Sequence, residues 1–426
     1  MGQVVSELRL FSDSFVSTNF AATEKSDYQF FGAHLKTDPS EKAHMQMDIS
    51  GAVAFGAPLL NFINISEFYY LQDLTSEQKL IIGRHKYDWS RLDRDWNFGL
   101  WEPLFKWNPL AAQRQGLSGI FWNVHRPQFQ LTLFASPLYI PDQGPSYEIS
   151  EGKFVRGNPW FRSPPEEIRI FGENTRINYN ILTPNEADIV LQSSYGGRLL
   201  LGSSDSFLAT LSYMYKPANQ LALGYDGQLS LNSSSGEVEV QPAVFYHSLL
   251  GGDISYRWQH FEMGVSSSLE KPQNEKLFEE GWTVPTFTEA TLTSVFASFE
   301  WRNTVFAVQW LDVQGGQVQE VGEFASSERR ALTTRYPFRS AGQVSIKNQL
   351  RFSKGRGLTT QVSALNSPGE GFSLVRGQAQ AELSRLWSFY GELQFVKQEK
   401  DIETVTSELA QFANNDRFML GVSYVF

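Results

Sequence analysis

Cysteine is absent from all 426 residues, which excludes disulfides and thiolate metal sites and suits a chain that crosses an oxidising periplasm without mispairing. Long apolar runs are missing as well. The longest, Gly51 to Leu60, is about half of the roughly 20 residues a spanning helix needs, and it contains Pro58. Residues 1–6, Met-Gly-Gln-Val-Val-Ser, run directly into Glu7 with neither a basic start nor an apolar core, so a mature chain with a starter Met is expected. No basic cluster offsets the net charge of -10, which argues against nucleic acid as a partner. Catalytic signatures are lacking too: no Gly-x-Ser-x-Gly elbow, no Gly-Lys-Ser/Thr phosphate loop, no His-Glu-x-x-His. The six histidines, His34, His44, His85, His125, His247 and His260, have no ligand spacing. Neither an enzyme nor a cofactor is expected, although active sites assembled from separate strands would escape a motif search.

What is abundant is aromatic: 33 Phe, 16 Tyr and 11 Trp, together 14% of the chain. Mean hydropathy is only -0.30, as in a sheet that is apolar on one face alone, whether of a soluble all-β protein or of a transmembrane barrel. Pattern separates the two. Met45, Met47, Ile49, Gly51, Val53 and Phe55 fall on one side of a strand, because alternate side chains share a face. Phe207, Ala209, Leu211, Tyr213 and Tyr215 repeat the arrangement, as do Leu221, Leu223, Tyr225, Gly227 and Leu229. Further strands are read at Val238 to Ser248, Asp253 to Trp258, Phe261 to Leu269, Val295 to Trp301 and Thr304 to Val313. Val344, Ile346, Leu350 and Phe352 oppose Gln343, Ser345, Lys347, Gln349 and Arg351; Val375 to Leu383 oppose Arg376, Gln378, Gln380 and Glu382. Strands of about ten residues with apolar-out, polar-in alternation, joined hairpin to hairpin, are the signature of a transmembrane barrel rather than a sandwich. The expectation is one antiparallel up-and-down barrel over residues 1–426, with roughly 16–18 strands, an even number suiting a bacterial barrel. A barrel of that size is too wide for side chains to fill, so it holds water or a loop.

Three long inserts interrupt the meander, near residues 86–114, 140–186 and 314–339. The first has neither a strand nor a helix period, but interleaves Trp89, Trp96, Trp101 and Trp107 with Arg84, Lys86, Arg91, Asp93, Arg94 and Asp95. Opposed charges on a loop folded into the lumen would set field and selectivity, so these six are candidate constriction residues. Arg156, Arg162, Arg169 and Arg176 in the second insert join them, balanced by Glu151, Glu166, Glu167 and Glu173. The four tryptophans and Trp160 are candidates for carbohydrate stacking, or equally for a loop core or an interfacial girdle.

At the far end Phe418, Leu420, Val422, Tyr424 and Phe426 share a face and finish on an aromatic. This resembles the C-terminal strand of bacterial outer-membrane β-barrels, which implies outer-membrane location and makes Tyr424 and Phe426 an assembly signal read by the barrel assembly machinery. A strand ending in Gly83-Arg84 before a Trp-rich charged loop is similar to porin-like and polysaccharide-export barrels, the alginate exporter among them. That resemblance implies a channel for hydrophilic solutes or an exported glycan, surrounded by outer-membrane lipid and lipopolysaccharide, with a possible periplasmic export or envelope partner. The alternative is a loop-plugged barrel that anchors or scaffolds an envelope complex.

Overall fold

In the computed structural model the described residues are 6–17, 29–37, 44–55, 58–155, 158, 160–161, 163–170, 173–203, 205–230, 235–273, 281–321, 335–353, 356–398, 409–412 and 415–425. Eighteen strands form one sheet. In chain order they are β1 (Ser6–Ser17), β2 (Gln29–Thr37), β3 (Met45–Ala54), β4 (Phe62–Asp73), β5 (Gln78–His85) and β6 (Leu117–Arg126). There follow β7 (Phe129–Ser136), β8 (Ser194–Gly202), β9 (Phe207–Pro217), β10 (Tyr246–Trp258), β11 (Phe261–Pro272) and β12 (Ala290–Trp301). The last six are β13 (Thr304–Gly315), β14 (Ser340–Ser353), β15 (Arg356–Ser367), β16 (Phe372–Glu382), β17 (Trp387–Gln398) and β18 (Asp416–Val425). Each pairs antiparallel with its sequence neighbours, and β18 pairs with β1 from Glu7↔Val425 to Ser17↔Asp416, closing the ring. Closure leaves no strand edge unpaired, the condition for a sheet to exist in hydrocarbon.

The two ends of the barrel differ as the sequence spacing requires. Two-residue turns join β6 to β7, β10 to β11 and β12 to β13. In the last two the first turn residue, Gln259 or Arg302, is left-handed at φ 55 and 57, the backbone hand that matches strand twist. The long connections, 86–116, 137–193, 218–245, 273–289, 316–339 and 399–415, all leave the staves at the opposite end.

The pleat sorts the side chains. Leu211, Ile254, Val295, Val308, Val344, Ile346 and Leu420 point outward and keep 48–54% of their surface exposed. Along β11, outward Met263, Val265 and Leu269 alternate with buried Ser266, Ser268 and Glu270. A band of this kind is stable only against lipid, so the ring is a membrane-spanning β-barrel.

Two strand readings need correction. Ala222–Ser230 and Ser235–Ala243 are not barrel staves; they pair with each other, and with Glu173–Ile181 and Glu167–Ile170 make a four-stranded sheet outside the ring. Their alternation is the same whether one face meets lipid or a loop core, so period alone could not separate them. Leu223, although 52% exposed, therefore does not face the bilayer. The staves β8, β15 and β17, for which no separate strand was expected, take their place in the ring. Phe426 lies outside the described residues, and Tyr424 packs its ring against Trp387 at 4.8 Å.

Candidate functional site: a lumen divided by the first insert

Residues 86–116 fold into the barrel. Ser90 caps a short helix, α1 (Arg91–Trp96), by accepting from the Asp93 N–H, and Asn97 ends it in a left-handed conformation at φ 54. Asp93, almost fully buried, then accepts the N–H groups of Leu100 (3.0 Å) and Trp101 (3.1 Å), turning the chain back on itself. Burial pushes its carboxyl pKa up, partly offset by those two donors. Arg114 closes the fold by donating to Glu102 (2.5 Å), Asp88 (2.9 Å) and the Tyr87 carbonyl (3.0 Å).

The insert is fastened to one side of the ring. Trp89 and Trp101 are parallel at 6.3 Å, and Trp89 packs on Phe121 and Phe134 of β6 and β7. Beneath lie Met214, Leu249 and Leu292, inward-facing apolar residues on β9, β10 and β12 that belong to the same buried cluster. Polar ties repeat this attachment: Ser212 Oγ donates to the Trp89 carbonyl (2.6 Å), Leu92 N to Ser266 Oγ (3.0 Å), and Trp96 Nε1 to Ser294 Oγ (2.9 Å). Gly251 is a packing requirement, because a Cβ there would lie 2.8 Å from the Trp101 ring.

The insert does not fill the lumen. Between the insert and the arc β14–β4 lies a cavity of about 690 Å³. One wall presents His34, Asp48 and Ser66, the other Arg376, Gln378, Glu392 and Arg417, and the insert contributes Lys86, Asp95, Trp96, Trp107 and Arg114. Cations and carboxylates alternate around it: Lys86 Nζ lies 3.1 Å from Asp48, and Arg376 Nε lies 3.7 Å from Glu392, which also accepts from Gln378 (2.9 Å).

Among the expected constriction residues, Lys86 and Asp95 border this cavity. Asp93 does not line it, since its two bonds to backbone N–H groups bury it inside the insert. Arg84 instead secures the insert's exit through Gly116 O (3.1 Å) and Gln115 Oε1 (2.5 Å). Arg91 is held by Asp95 and Glu262 and lies over Phe296, while Arg94 is held by Asp88 and Asp95. Arg176 is exposed on the outer sheet, where it stands in register with Glu167 and Ser235. Of Arg169 only the backbone is described, in Glu167–Ile170, and Arg156 and Arg162 lie outside the described residues. Trp89, Trp101 and Trp160 are 1% exposed, so they form loop cores and offer no face to a sugar; Trp96 and Trp107 border the cavity.

A second buried network escaped the sequence. Glu270 of β11 is contacted by His247 of β10 and by Arg335 and Tyr336 from the third insert. Phe98 of the first insert meets Tyr336 edge-on at 5.7 Å. Those four polar residues are scattered over 90 positions of sequence and converge only in the fold.

The class is thus an outer-membrane barrel with an inward loop. No family model matches the chain, and no curated protein does. Among solved structures it is similar to OccAB2 of Acinetobacter baumannii, with 10% identity over 100% of this chain and 98% of that one at TM-score 0.50. A BenF-like porin from Pseudomonas fluorescens Pf-5 (11% identity, 100% and 98% covered, TM-score 0.49) and the outer membrane protein opdK from Pseudomonas aeruginosa (11%, 100% and 99%, 0.46) are also similar. At these identities the likeness is one of fold. Export of a polysaccharide gains no support from it.

Proposed function

We propose that the barrel is a non-catalytic channel for small hydrophilic solutes, with the first insert as its constriction. The observation that carries this reading is the cavity of about 690 Å³ left beside the insert and ringed by ionised groups. Apolar contacts hold the insert to one arc, while the polar arc opposite stays available to water. Charges in such a narrow passage act strongly because the low-dielectric wall focuses their field. Outer-membrane lipid and lipopolysaccharide would surround the belt, and insertion would depend on the barrel assembly machinery. An envelope partner belongs to the rival reading, a plugged anchor. Single-channel recording in planar bilayers decides between them: the native barrel should conduct, and removal of residues 88–108 should enlarge the current. A silent native barrel that conducts only after the deletion would indicate a plugged anchor instead.

A further inference from the structure

The insert is anchored by many contacts to β9–β12, but its far tip, the turn Pro109–Ala111, crosses the lumen toward β16. There Arg376 Nη2 donates to the Leu110 carbonyl at 2.6 Å. The guanidinium is aimed from behind: its buried Nε has no hydrogen-bond partner and faces Glu392 Oε1 at 3.7 Å. A planar five-donor group fixed between a carboxylate on one side and a carbonyl on the other sets a separation. We infer that Arg376 is a strut, a positioning residue that holds the insert's tip at a set distance from β16 and so limits the width of the passage. This rests on the channel reading above. Leu110 is buried and the turn is capped by Asn108 (3.0 Å to Leu110 N), while Trp107 Nε1 donates to the Leu60 carbonyl (3.0 Å) and Asn97 Nδ2 to the Ala112 carbonyl (2.7 Å), so the tip is a braced unit and the Arg376 bond is its tie to β16.

The strut differs from a mere charge in the lumen. Loss of charge alone would alter ion preference; loss of the strut would also widen the passage and let the tip fluctuate. Arg376→Gln should raise unitary conductance, on the order of 1.5-fold if cross-section governs flow, with noisier open-state current. Arg376→Lys, which keeps a donor of similar reach, should return both toward the native values. Glu392→Gln, which removes the carboxylate behind the guanidinium, should shift selectivity and add less noise than Arg376→Gln. The chain has no cysteine, so nitroxides placed at Ala112→Cys and Ser384→Cys report the tip's distance from the turn after β16, with or without current. The distance distribution should broaden on Arg376→Gln and narrow again with Lys. An unchanged distribution overturns the strut even if the barrel conducts. A broadened one in a barrel that never conducts keeps the strut and overturns the channel.

Discussion

Arg114 and Glu102 form a charge-assisted pair at 2.5 Å inside a loop that is itself inside a barrel. Glu102 is 1% exposed, and burial outweighs the attraction of Arg114, raising its carboxyl from the ordinary 4.5 to about 7. The sign of the pH effect follows. The folded group holds its proton more tightly than the unfolded one, so its stabilisation is complete below pH 4.5, drains as pH rises toward 7, and is gone above that. Its span is at most about 3 kcal/mol. Thermal melting in detergent, followed by tryptophan emission, should show a midpoint that falls from pH 5 to pH 8. In Glu102→Gln that slope should be largely lost; an equal slope in the variant would reject the assignment.

The outward band predicts an asymmetry between faces. Leu211 and Ile346, 54% and 48% exposed, should each cost about 2–4 kcal/mol on substitution by Arg, and Phe207 and Leu350, nearer the short-turn ends of their staves, should cost less. Substitutions at Lys347 or Gln378, on the inward face, should be mild. So should Leu223→Arg, because that residue belongs to the outer sheet. Denaturant titration of the barrel in lipid would reveal the pattern, and equal costs at Leu223 and Leu211 would contradict it.

Gly251 and Trp101 test whether the insert can be dislodged without harming the ring. Gly251→Leu places atoms where the Trp101 ring now lies, and the expected response is displacement of the insert. Trp101 emission should shift to the red while heat-modifiable migration of the barrel stays normal. Trp89→Ala should loosen the same dock by about 3–5 kcal/mol through lost contact and cavity formation. A destroyed barrel in both variants would mean that the insert and the staves fold as one unit.

Selectivity should depend on where a charge sits rather than on its presence in the insert. Arg417→Gln and Lys86→Gln remove cations that border the cavity, leaving Glu392 or Asp48 to shift preference toward cations. Arg94→Ala removes a cation that does not border the cavity, and Asp95 keeps Arg91 as a partner, so the reversal potential should change little. Reversal potentials under a salt gradient give the comparison; a large shift from Arg94→Ala would place the constriction elsewhere.

The sequence made the staves legible where one face was apolar throughout, as along Val344 to Phe352. It did not say which alternating segments belong to the ring, because Ala222–Ser230 satisfies the same pattern on a loop. The inward fold of the first insert was suggested by its aromatics, but its dock was not. A signal existed: β12 carries Leu292 and Phe296 on the face opposite Val295 and Phe299, and β6 sets Phe121 against Ile120, so both faces are apolar where only one meets lipid. Charges were harder. Arg91, Asp93 and Arg94 look alike in sequence to Lys86 and Asp95, and only the capping of α1 and the return of the chain at Leu100 decide which are spent within the loop. The Glu270 network joins residues far apart in the chain, and no local pattern announces it.

The pairing of β1 with β18 carries a kinetic consequence. Seventeen of the eighteen strand contacts join sequence neighbours and can form as successive hairpins, each closing a short stretch of chain or a single insert. The eighteenth joins Glu7 to Val425, across nearly the whole length, and cannot form until all the others have brought those strands within reach. Such a contact is the slowest to be found and the last to be repaid. Before it forms, the two outermost staves are open edges ready to pair with whatever strand is nearest. The same bond row that completes the barrel thus makes its maturation all-or-none, and a defect at Arg417–Tyr424 should accumulate as open sheets rather than as weakened barrels.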